Sequence, residues 1–206
     1  MARVIRHTDH TLVPWKNGLG TTRELAVESS ADGGWLWRIS IATVERSGPF
    51  SDFSGFDRHL MLLSGGGMNL EFAPKAKDAF TRSLRLHEPV SFDGAWPCVS
   101  TVEGAPLTDF NLMTAQGSAV GSIKVRAING VSQLDTIGMC IVRVFYAVRG
   151  SVIIEGSSPG EEAGSSSFEL GEGDALRIDA QGWSGRASGE SALLCCVVVQ
   201  PAEERH

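Results

Sequence analysis

The sequence predicts an all-β protein built from two similar halves, and three observations lead to this fold class. Short apolar runs that alternate with period two are separated by turns rich in Gly and Pro. Stretches with helical periodicity are scarce along the whole chain. One β unit also recurs at a nearly constant offset, which indicates a duplicated fold.

The composition fits a folded globular protein. The chain has 206 residues, of which 42% are hydrophobic and 20% charged, and this length suits one large β domain or two half-domains that share a core. The formal net charge is -6 and no basic cluster is present, which argues against nucleic acid as a partner. An anionic ligand is compatible with this charge, because local arginines matter more than the total.

The apolar runs and the cysteines indicate a cytoplasmic protein without a membrane partner. No long apolar stretch resembles a secretory signal, and every run is far shorter than the roughly 20 residues that span a bilayer. The cysteines form no CxxC pair, so we expect free buried thiols in a reducing compartment rather than a zinc site. They are Cys98, Cys140, Cys195 and Cys196.

The strands are predicted from periodicity. Residues 35–45 alternate strictly, which places Trp37 and Ile39 on one face and Arg38 and Ser40 on the other. The other segments follow the same reasoning. They are a strand at 58–65 that ends in a glycine turn, buried strands at 141–150 and 191–200, a strand or turn rather than a short helix at 108–113, and a polar, mobile loop at 156–167.

The internal repeat predicts two cupin-like barrels. Gly65 matches Gly150 at an offset of 85, and Leu86 matches Leu170 at an offset of 84. In each copy an apolar strand reaches a glycine, a second strand leaves it and a hairpin follows. The stretch LGEGDALRI is typical of cupin barrels, in which a Gly-Asp turn leads into an inward-facing strand. We therefore predict a bicupin, a double-stranded β-helix fold with an N-terminal barrel over residues 1–125 and an intertwined C-terminal half over 126–206; chance similarity between two hairpins is the alternative.

The segment PWKNGLGTTRE, at 14–24, is the first candidate for ligand contact. It combines an indole, an ammonium, an amide, two hydroxyls and a guanidinium in one stretch broken by glycines. Glycines let the backbone approach a ligand closely. A phosphate-binding P-loop is not indicated, because Lys16 precedes the glycines. The clustering of polar types favours a ligand-binding loop over a plain structural turn.

Three further segments suggest polar recognition, each with a structural alternative. Arg38 is either a barrel-interior cation that needs an anionic partner or an exposed arginine on a solvent face. Arg58 either holds a carboxylate bidentately or forms a structural pair with Asp57. Asp109 and Asn111 share one strand face, where they either recognise donors and acceptors of a ligand or lie in water on an edge strand.

The histidine pattern predicts no metal centre and no cofactor. Metal-binding cupins carry an HxH pair, a carboxylate and a distant histidine, whereas no HxH pair occurs here. His59 stands alone in its predicted strand, and no GxSxG motif indicates a serine nucleophile. The histidines are His7, His10, His59, His87 and His206.

The segments 14–24, 37–70 and 109–113 together resemble the HutD/Ves family in their order and spacing. The resemblance is close over the first half of the chain and loose over the second. It implies a bicupin with a pocket in the N-terminal barrel and no metal triad. One departure is Leu19, which stands where the family usually has glycine. Carried over position by position, the resemblance implies ligand contacts from Trp15, Lys16, Asn17, Thr21, Thr22, Arg23, Arg38, Arg58, Asp109 and Asn111.

The resemblance also implies a function. Family members linked to histidine utilisation are thought to bind pathway acids such as urocanate or formylglutamate and to moderate flux, so we expect a metal-free protein that binds a small anionic or polar metabolite. Two alternatives stay open. One is a metal-free hydrolase or isomerase that uses Lys16, His59 or Asp109 as general acid or base, and the other is a scaffold for protein partners. Cupins often pair through strand edges, so a homodimer is compatible by analogy.

Overall fold

The computed structural model describes residues 1–10, 12–15, 18–104, 106–134, 139–159 and 166–203. Apart from a short 3-10 turn at His7–Asp9, the regular structure described is β-strand, which confirms the predicted fold class. The strands are β1 (Ala2–Ile5), β2 (Leu12–Pro14), β3 (Gly20–Ser29), β4 (Trp35–Val44), β5 (Gly48–Pro49), β6 (Phe56–Ser64), β7 (Gly67–Phe72), β8 (Phe80–Leu84), β9 (Val90–Asp93), β10 (Cys98–Glu103), β11 (Leu107–Ala115), β12 (Ala119–Leu134), β13 (Val142–Arg149), β14 (Val152–Ser157), β15 (Ser166–Leu170), β16 (Ala175–Ile178) and β17 (Ser184–Pro201).

The chain divides into two compact units. The first unit comprises residues 10–121, and the second comprises residues 1–9 and 122–206. The first nine residues belong to the second unit because β1 pairs with β16 and Arg6 forms a 2.7 Å ion pair with Asp174. The predicted division at 1–125 and 126–206 differs at this N-terminal segment, because the sequence of a four-residue strand does not reveal its partner.

The first unit consists of two antiparallel sheets around an apolar core. One sheet has the order β2-β3-β4-β11-β6-β9, and the other has the order β5-β10-β7-β8. The strands predicted at 35–45, 58–65 and 108–113 are confirmed as β4, β6 and β11. The buried core residues are Val44, Leu60, Leu62, Met68, Leu70, Phe72, Leu84, Phe92, Cys98 and Leu107.

The second unit contains one sheet with the order β1-β16-β13-β17-β14-β15, and β12 also pairs with β17. The strands predicted at 141–150 and 191–200 are confirmed as β13 and the later part of β17. Alternating apolar side chains of these strands form the core, which includes Phe145, Ala147, Ile154, Leu176, Trp183 and Leu194.

The predicted repeat is visible in both units, with one correction. Leu86 does not correspond to Leu170, because Leu86 is 47% exposed whereas Leu170 is fully buried. Leu84 is the buried counterpart, since it pairs with Met68 on β7 as Leu170 pairs with Val152 on β14. Leu86 lies two residues beyond the end of β8, so the match by sequence selected an exposed leucine instead of the buried Leu84.

The remaining predictions concern the loop at 156–167, the thiols and the membrane. Residues 160–165 lie outside the described residues, while β14 ends at Ser157 and β15 begins at Ser166. The thiols are free, and all are buried except Cys196, which is partly buried. In the described parts of the chain, no helix is long and apolar enough to cross a membrane.

Candidate functional site

Polar side chains interrupt the inner, core-facing side of the six-stranded sheet. Strand pairing places Asn111 between Ser40 on β4 and Leu60 on β6, and Leu60 belongs to the apolar core. Side chains two residues apart share a face, so Arg58 and Asp109 lie on this same inner side. The site therefore consists of polar groups from three neighbouring strands within an apolar interior.

Arg58 is the central cation of this site. Arg58 is only 5% exposed. Its guanidinium lies 5.1, 5.1 and 5.2 Å from the ring centroids of Phe50, Phe53 and Phe92. Within the described residues its side chain makes neither a hydrogen bond nor an ion pair. Burial lowers the pKa of Arg58 to about 10, so the group stays charged at neutral pH.

The structural pair between Asp57 and Arg58 is not formed. Asp57 precedes Arg58 on β6, and its carboxylate accepts a 2.9 Å hydrogen bond from Gln116 instead. Successive residues of a strand point to opposite faces, so the two side chains diverge. The alternative of a structural ion pair between Asp57 and Arg58 is therefore wrong.

Asp109 and Asn111 occupy β11, which lies between β4 and β6 in the sheet and is no edge strand. The two residues are 2% and 7% exposed. Burial raises the pKa of Asp109 to about 7, although the positive charge of Arg58 acts in the opposite direction. The Oδ1 atom of Asn111 is buried without a hydrogen-bond partner among the described residues. A buried acceptor of this kind favours a ligand that donates a hydrogen bond.

Arg38 has a different environment, nearer to solvent. Its Nε donates to Glu24 at 2.9 Å, and its guanidinium stacks over Trp35 at 4.7 Å. The Arg38 side chain is 16% exposed and that of Glu24 is 43% exposed. The alternating faces of β4 are both buried, since Trp37 and Ser40 are 0% and 2% exposed. Strand pairing sets Arg38 and Arg58 on either side of Met113, so both share the inner face. Arg38 lies nearer to solvent and is already paired with Glu24, whereas Arg58 is buried more deeply.

The segment 14–24 is divided between two faces of β3. Trp15 donates a 2.7 Å hydrogen bond from Nε1 to Oγ1 of Thr22, which stands opposite Ala42 on the inner face. Thr21 and Arg23 alternate with Thr22 and therefore point to the opposite face. Of this segment, the structure brings Trp15 and Thr22 to the inner side and leaves Thr21 and Arg23 away from it.

The glycine-to-leucine departure at Leu19 has a packing explanation. A Cβ atom on Gly48 would lie 2.7 Å from Cδ1 of Leu19, so the leucine packs directly over this glycine. The carbonyl of Leu19 also accepts a 3.0 Å hydrogen bond from Glu45. Two predicted contact residues, Lys16 and Asn17, lie outside the described residues.

The aromatic residues that enclose Arg58 are not among the site residues predicted from the sequence. Phe50 and Phe53 fall in a turn-rich segment where a solvated loop would contain few large apolar side chains, and this was a usable signal. Phe92 comes from β9 and pairs with Arg58 across the sheet. No local pattern around Phe92 indicates this long-range contact.

His59 does not belong to the same site as Asp109. Its Nδ1 lies 2.7 Å from Oγ of Ser91, and it pairs with Leu112 on the opposite face of the sheet. Burial lowers the pKa of His59. The described residues include no group of three His, Cys, Asp or Glu side chains that could hold a metal ion. The inner face also presents the cationic Arg58, so these residues do not fit a divalent metal.

Curated relatives match the chain over part of its length. Protein Ves of Citrobacter koseri is 37% identical over 112 residues, which cover 54% of this chain and 56% of the relative. An uncharacterised 21.2 kDa protein in the hutC 3′ region of Pseudomonas putida is 35% identical over 114 residues, or 55% of this chain and 58% of that protein. The matches thus span little more than half the length of these relatives.

Solved structures match almost the whole chain. HutD from Pseudomonas fluorescens SBW25 is 26% identical with a TM-score of 0.79, over 98% of this chain and 100% of that one. A conserved protein of unknown function from Pseudomonas aeruginosa PAO1 is 28% identical with a TM-score of 0.83, over 97% and 99%. Bacillus subtilis oxalate decarboxylase is only 5% identical with a TM-score of 0.70, over 98% and 78%, and shows the cupin-like fold alone.

A family model described as HutD covers residues 7–195, which is most of the chain. The sequence resemblance to the HutD/Ves family is thereby confirmed, and so is the cupin-like fold. This chain therefore belongs to the HutD family.

Proposed function

We propose that this chain is a binding protein for a small anionic metabolite, held inside the first unit against Arg58. One observation carries the proposal: Arg58 is a buried cation whose side chain has no hydrogen bond or ion pair within the described residues. Burying an unpaired charge is costly, and a bound carboxylate would compensate this cost with charge-assisted hydrogen bonds. The Oδ1 atom of Asn111 lies on the same face of the sheet without a hydrogen-bond partner among the described residues, and it supports the same interpretation.

The site favours an acid that also carries an N–H or O–H donor. Arg58 would bind a carboxylate, and the Oδ1 atom of Asn111 would accept a hydrogen bond from the ligand. Asp109 is largely protonated below about pH 7 and would then donate a hydrogen bond instead of repelling the anion. The rings around Arg58 exclude water, which strengthens these interactions.

Acids of histidine utilisation meet this requirement. Urocanate and formylglutamate each combine a carboxylate with an N–H group. Two relatives support the link: one is named HutD, and the other is encoded in the hutC 3′ region. We therefore assign the chain a cytoplasmic role in which it binds such an acid and moderates the pathway.

Thermal unfolding with candidate acids tests the proposal. The ligands are urocanate, formylglutamate, formiminoglutamate, glutamate and histidine, each far above its dissociation constant. A ligand at a hundredfold excess over Kd adds about 2.7 kcal/mol, which raises the Tm of a chain of this size by about 7 °C. Arg58→Met should abolish the shift with the acids that lack an aromatic ring, whereas Arg85→Gln, at an exposed arginine, should retain it. A shift with these acids that persists in Arg58→Met, or no shift with any acid, contradicts the proposal.

A second candidate function is acid–base catalysis by Asp109. The observation that favours it is the pKa of about 7 in a carboxyl group beside a buried arginine, which suits a general acid or base at neutral pH. His59 points to the other face, so Asp109 would act without it. NMR of each acid incubated with the protein distinguishes the two functions: turnover that Asp109→Asn abolishes supports catalysis, and an acid that binds but stays intact for hours supports binding alone.

A further inference from the structure

We propose that the cleft between β8 and β9 is a second ligand site, which takes flat aromatic anions. It is separate from the site around Arg58 and does not depend on the function proposed for that site. The cleft lies where the outermost strand of the four-stranded sheet faces the outermost strand of the six-stranded sheet. Its cavity of about 450 Å³ falls within the size range of small-molecule sites.

Aromatic rings form the floor of the cleft. The Phe72 centroid lies 5.2 Å from Phe80 and 4.9 Å from Phe92, and the Trp96 ring stands nearly perpendicular to Phe80 at 5.7 Å. Phe72 and Phe92 are buried, whereas Phe80 and Trp96 are only partly buried and keep surface for a ligand. These mutual contacts hold the rings in place, so a flat ring would pack on a preformed surface at little entropic cost.

Two cations stand over this floor. The Nζ atom of Lys77 lies 5.3 Å from the Trp96 centroid, and the guanidinium of Arg82 lies 5.7 Å from the Phe80 centroid. Neither takes part in an ion pair within the described residues. The residues that line the cavity include no Asp or Glu. The cleft thus combines an apolar aromatic surface with two cations that form no ion pair within the described residues.

This combination selects for an anion attached to a flat ring. The ring would pack against Phe80 and Trp96, while its carboxylate would meet Lys77 and Arg82. An aliphatic acid would lose the ring contacts, a neutral aromatic compound would lose the charge contacts, and a cation would be repelled. Phe92 borders the cleft and also contacts Arg58, so its ring separates the two sites.

Fluorine NMR on the full chain labelled with 5-fluorotryptophan tests the cleft. Loss of one signal in Trp96→Phe identifies the Trp96 resonance. We expect 2-naphthoate to shift this resonance in a saturable manner and to bind at least tenfold more tightly than cyclohexanecarboxylate or the neutral 2-naphthol. The double variant Lys77→Gln/Arg82→Gln should weaken 2-naphthoate binding at least tenfold. Lys75→Gln/Arg85→Gln removes the same charge from nearby exposed positions and should leave the affinity unchanged.

The site around Arg58 provides a separate control. Arg58→Met should leave the response of Trp96 intact, even though it abolishes the thermal shift with pathway acids that lack an aromatic ring, such as formylglutamate. If Arg58→Met removes the response of Trp96, or if 2-naphthol binds as tightly as 2-naphthoate, the cleft proposal is wrong. Failure of the acids without an aromatic ring to bind, together with an intact response of Trp96, would refute binding at Arg58 and leave the cleft site standing.

Discussion

The two units place a buried arginine at the same point of the repeat, yet in different surroundings. Arg58 and Arg143 are 85 residues apart, as are Gly65 and Gly150, which end the respective strands. Arg143 is 1% exposed and donates a 2.8 Å hydrogen bond to the carbonyl of Trp183. Arg58 is almost as buried but makes no hydrogen bond within the described residues. The same position of the repeat is thus hydrogen-bonded to the backbone in the second unit, whereas in the first it makes no hydrogen bond within the described residues, and the proposed function rests on this contrast.

The neighbouring strands show the same contrast. Leu60 on β6 pairs with Asn111, whereas Phe145, at the matching position of β13, pairs with Cys196. At the same offset of 85, Asp109 corresponds to Leu194, which is completely buried in the apolar core. Polar residues in the first unit therefore replace apolar residues in the second. The second unit fills the corresponding positions with Leu194 and Cys196, which agrees with the binding role proposed for Asp109 and Asn111.

The glycines of the repeat give the largest expected effect. Gly65 has a φ of 110°, and a Cβ atom there would lie 2.3 Å from Cβ of Leu107. Gly150 has a φ of 72°, and its nearest neighbour would be Cα of Ala192 at 3.3 Å. We expect Gly65→Ala to reduce the free energy of unfolding by about 4 kcal/mol, and Gly150→Ala to reduce it by about 1 kcal/mol. Urea denaturation measures both values, and equal losses would show that the turns are equivalent.

Much of the fold was predictable because period-two alternation and turn glycines are local signals. The strands at 35–45 and 58–65, and the shared face of Asp109 and Asn111, follow from alternation alone. The pairing of β1 with β16 and the contact of Phe92 with Arg58 join segments far apart in sequence, so no local pattern encodes them. The repeat also holds a signal for the site. At the offset of 85, Asp109 and Asn111 of β11 correspond to Leu194 and Cys196, so the polar residues occur in one copy and not in the other.

The arginines give the next effect, and the two should differ in sign. Arg143→Met removes a buried donor to the Trp183 carbonyl, so we expect a loss of about 3 kcal/mol in the free energy of unfolding. Arg58→Met replaces a desolvated cation by an apolar side chain of similar length, so we expect a gain of about 1 kcal/mol. Urea denaturation without ligand measures the free energy of unfolding of both variants. A loss above 2 kcal/mol in Arg58→Met would mean that Arg58 supports the fold rather than a ligand.

Asp109 gives an effect smaller than those of Gly65 and Arg143 and specific to the first unit, because its counterpart Leu194 does not titrate. Burial raises the pKa of the folded carboxyl to about 7, whereas an unfolded aspartic acid titrates near pH 3.9. Between these values the folded chain binds more protons than the unfolded chain, so stability is highest at the acidic end and falls as pH rises toward 7. Between pH 5 and pH 7 the loss from this group is about 2 kcal/mol.

The difference between the wild type and Asp109→Asn isolates this contribution. His59 acts in the opposite direction over the same range, because its pKa is lowered by burial, but it contributes equally to both proteins. The lowered pKa of Asp174 affects stability only at more acidic pH. Urea denaturation at several pH values should therefore show a wild-type stability that declines relative to Asp109→Asn as pH rises. Parallel pH profiles would mean that Asp109 is ionised in the fold, and it could then no longer donate a hydrogen bond to a bound acid at neutral pH.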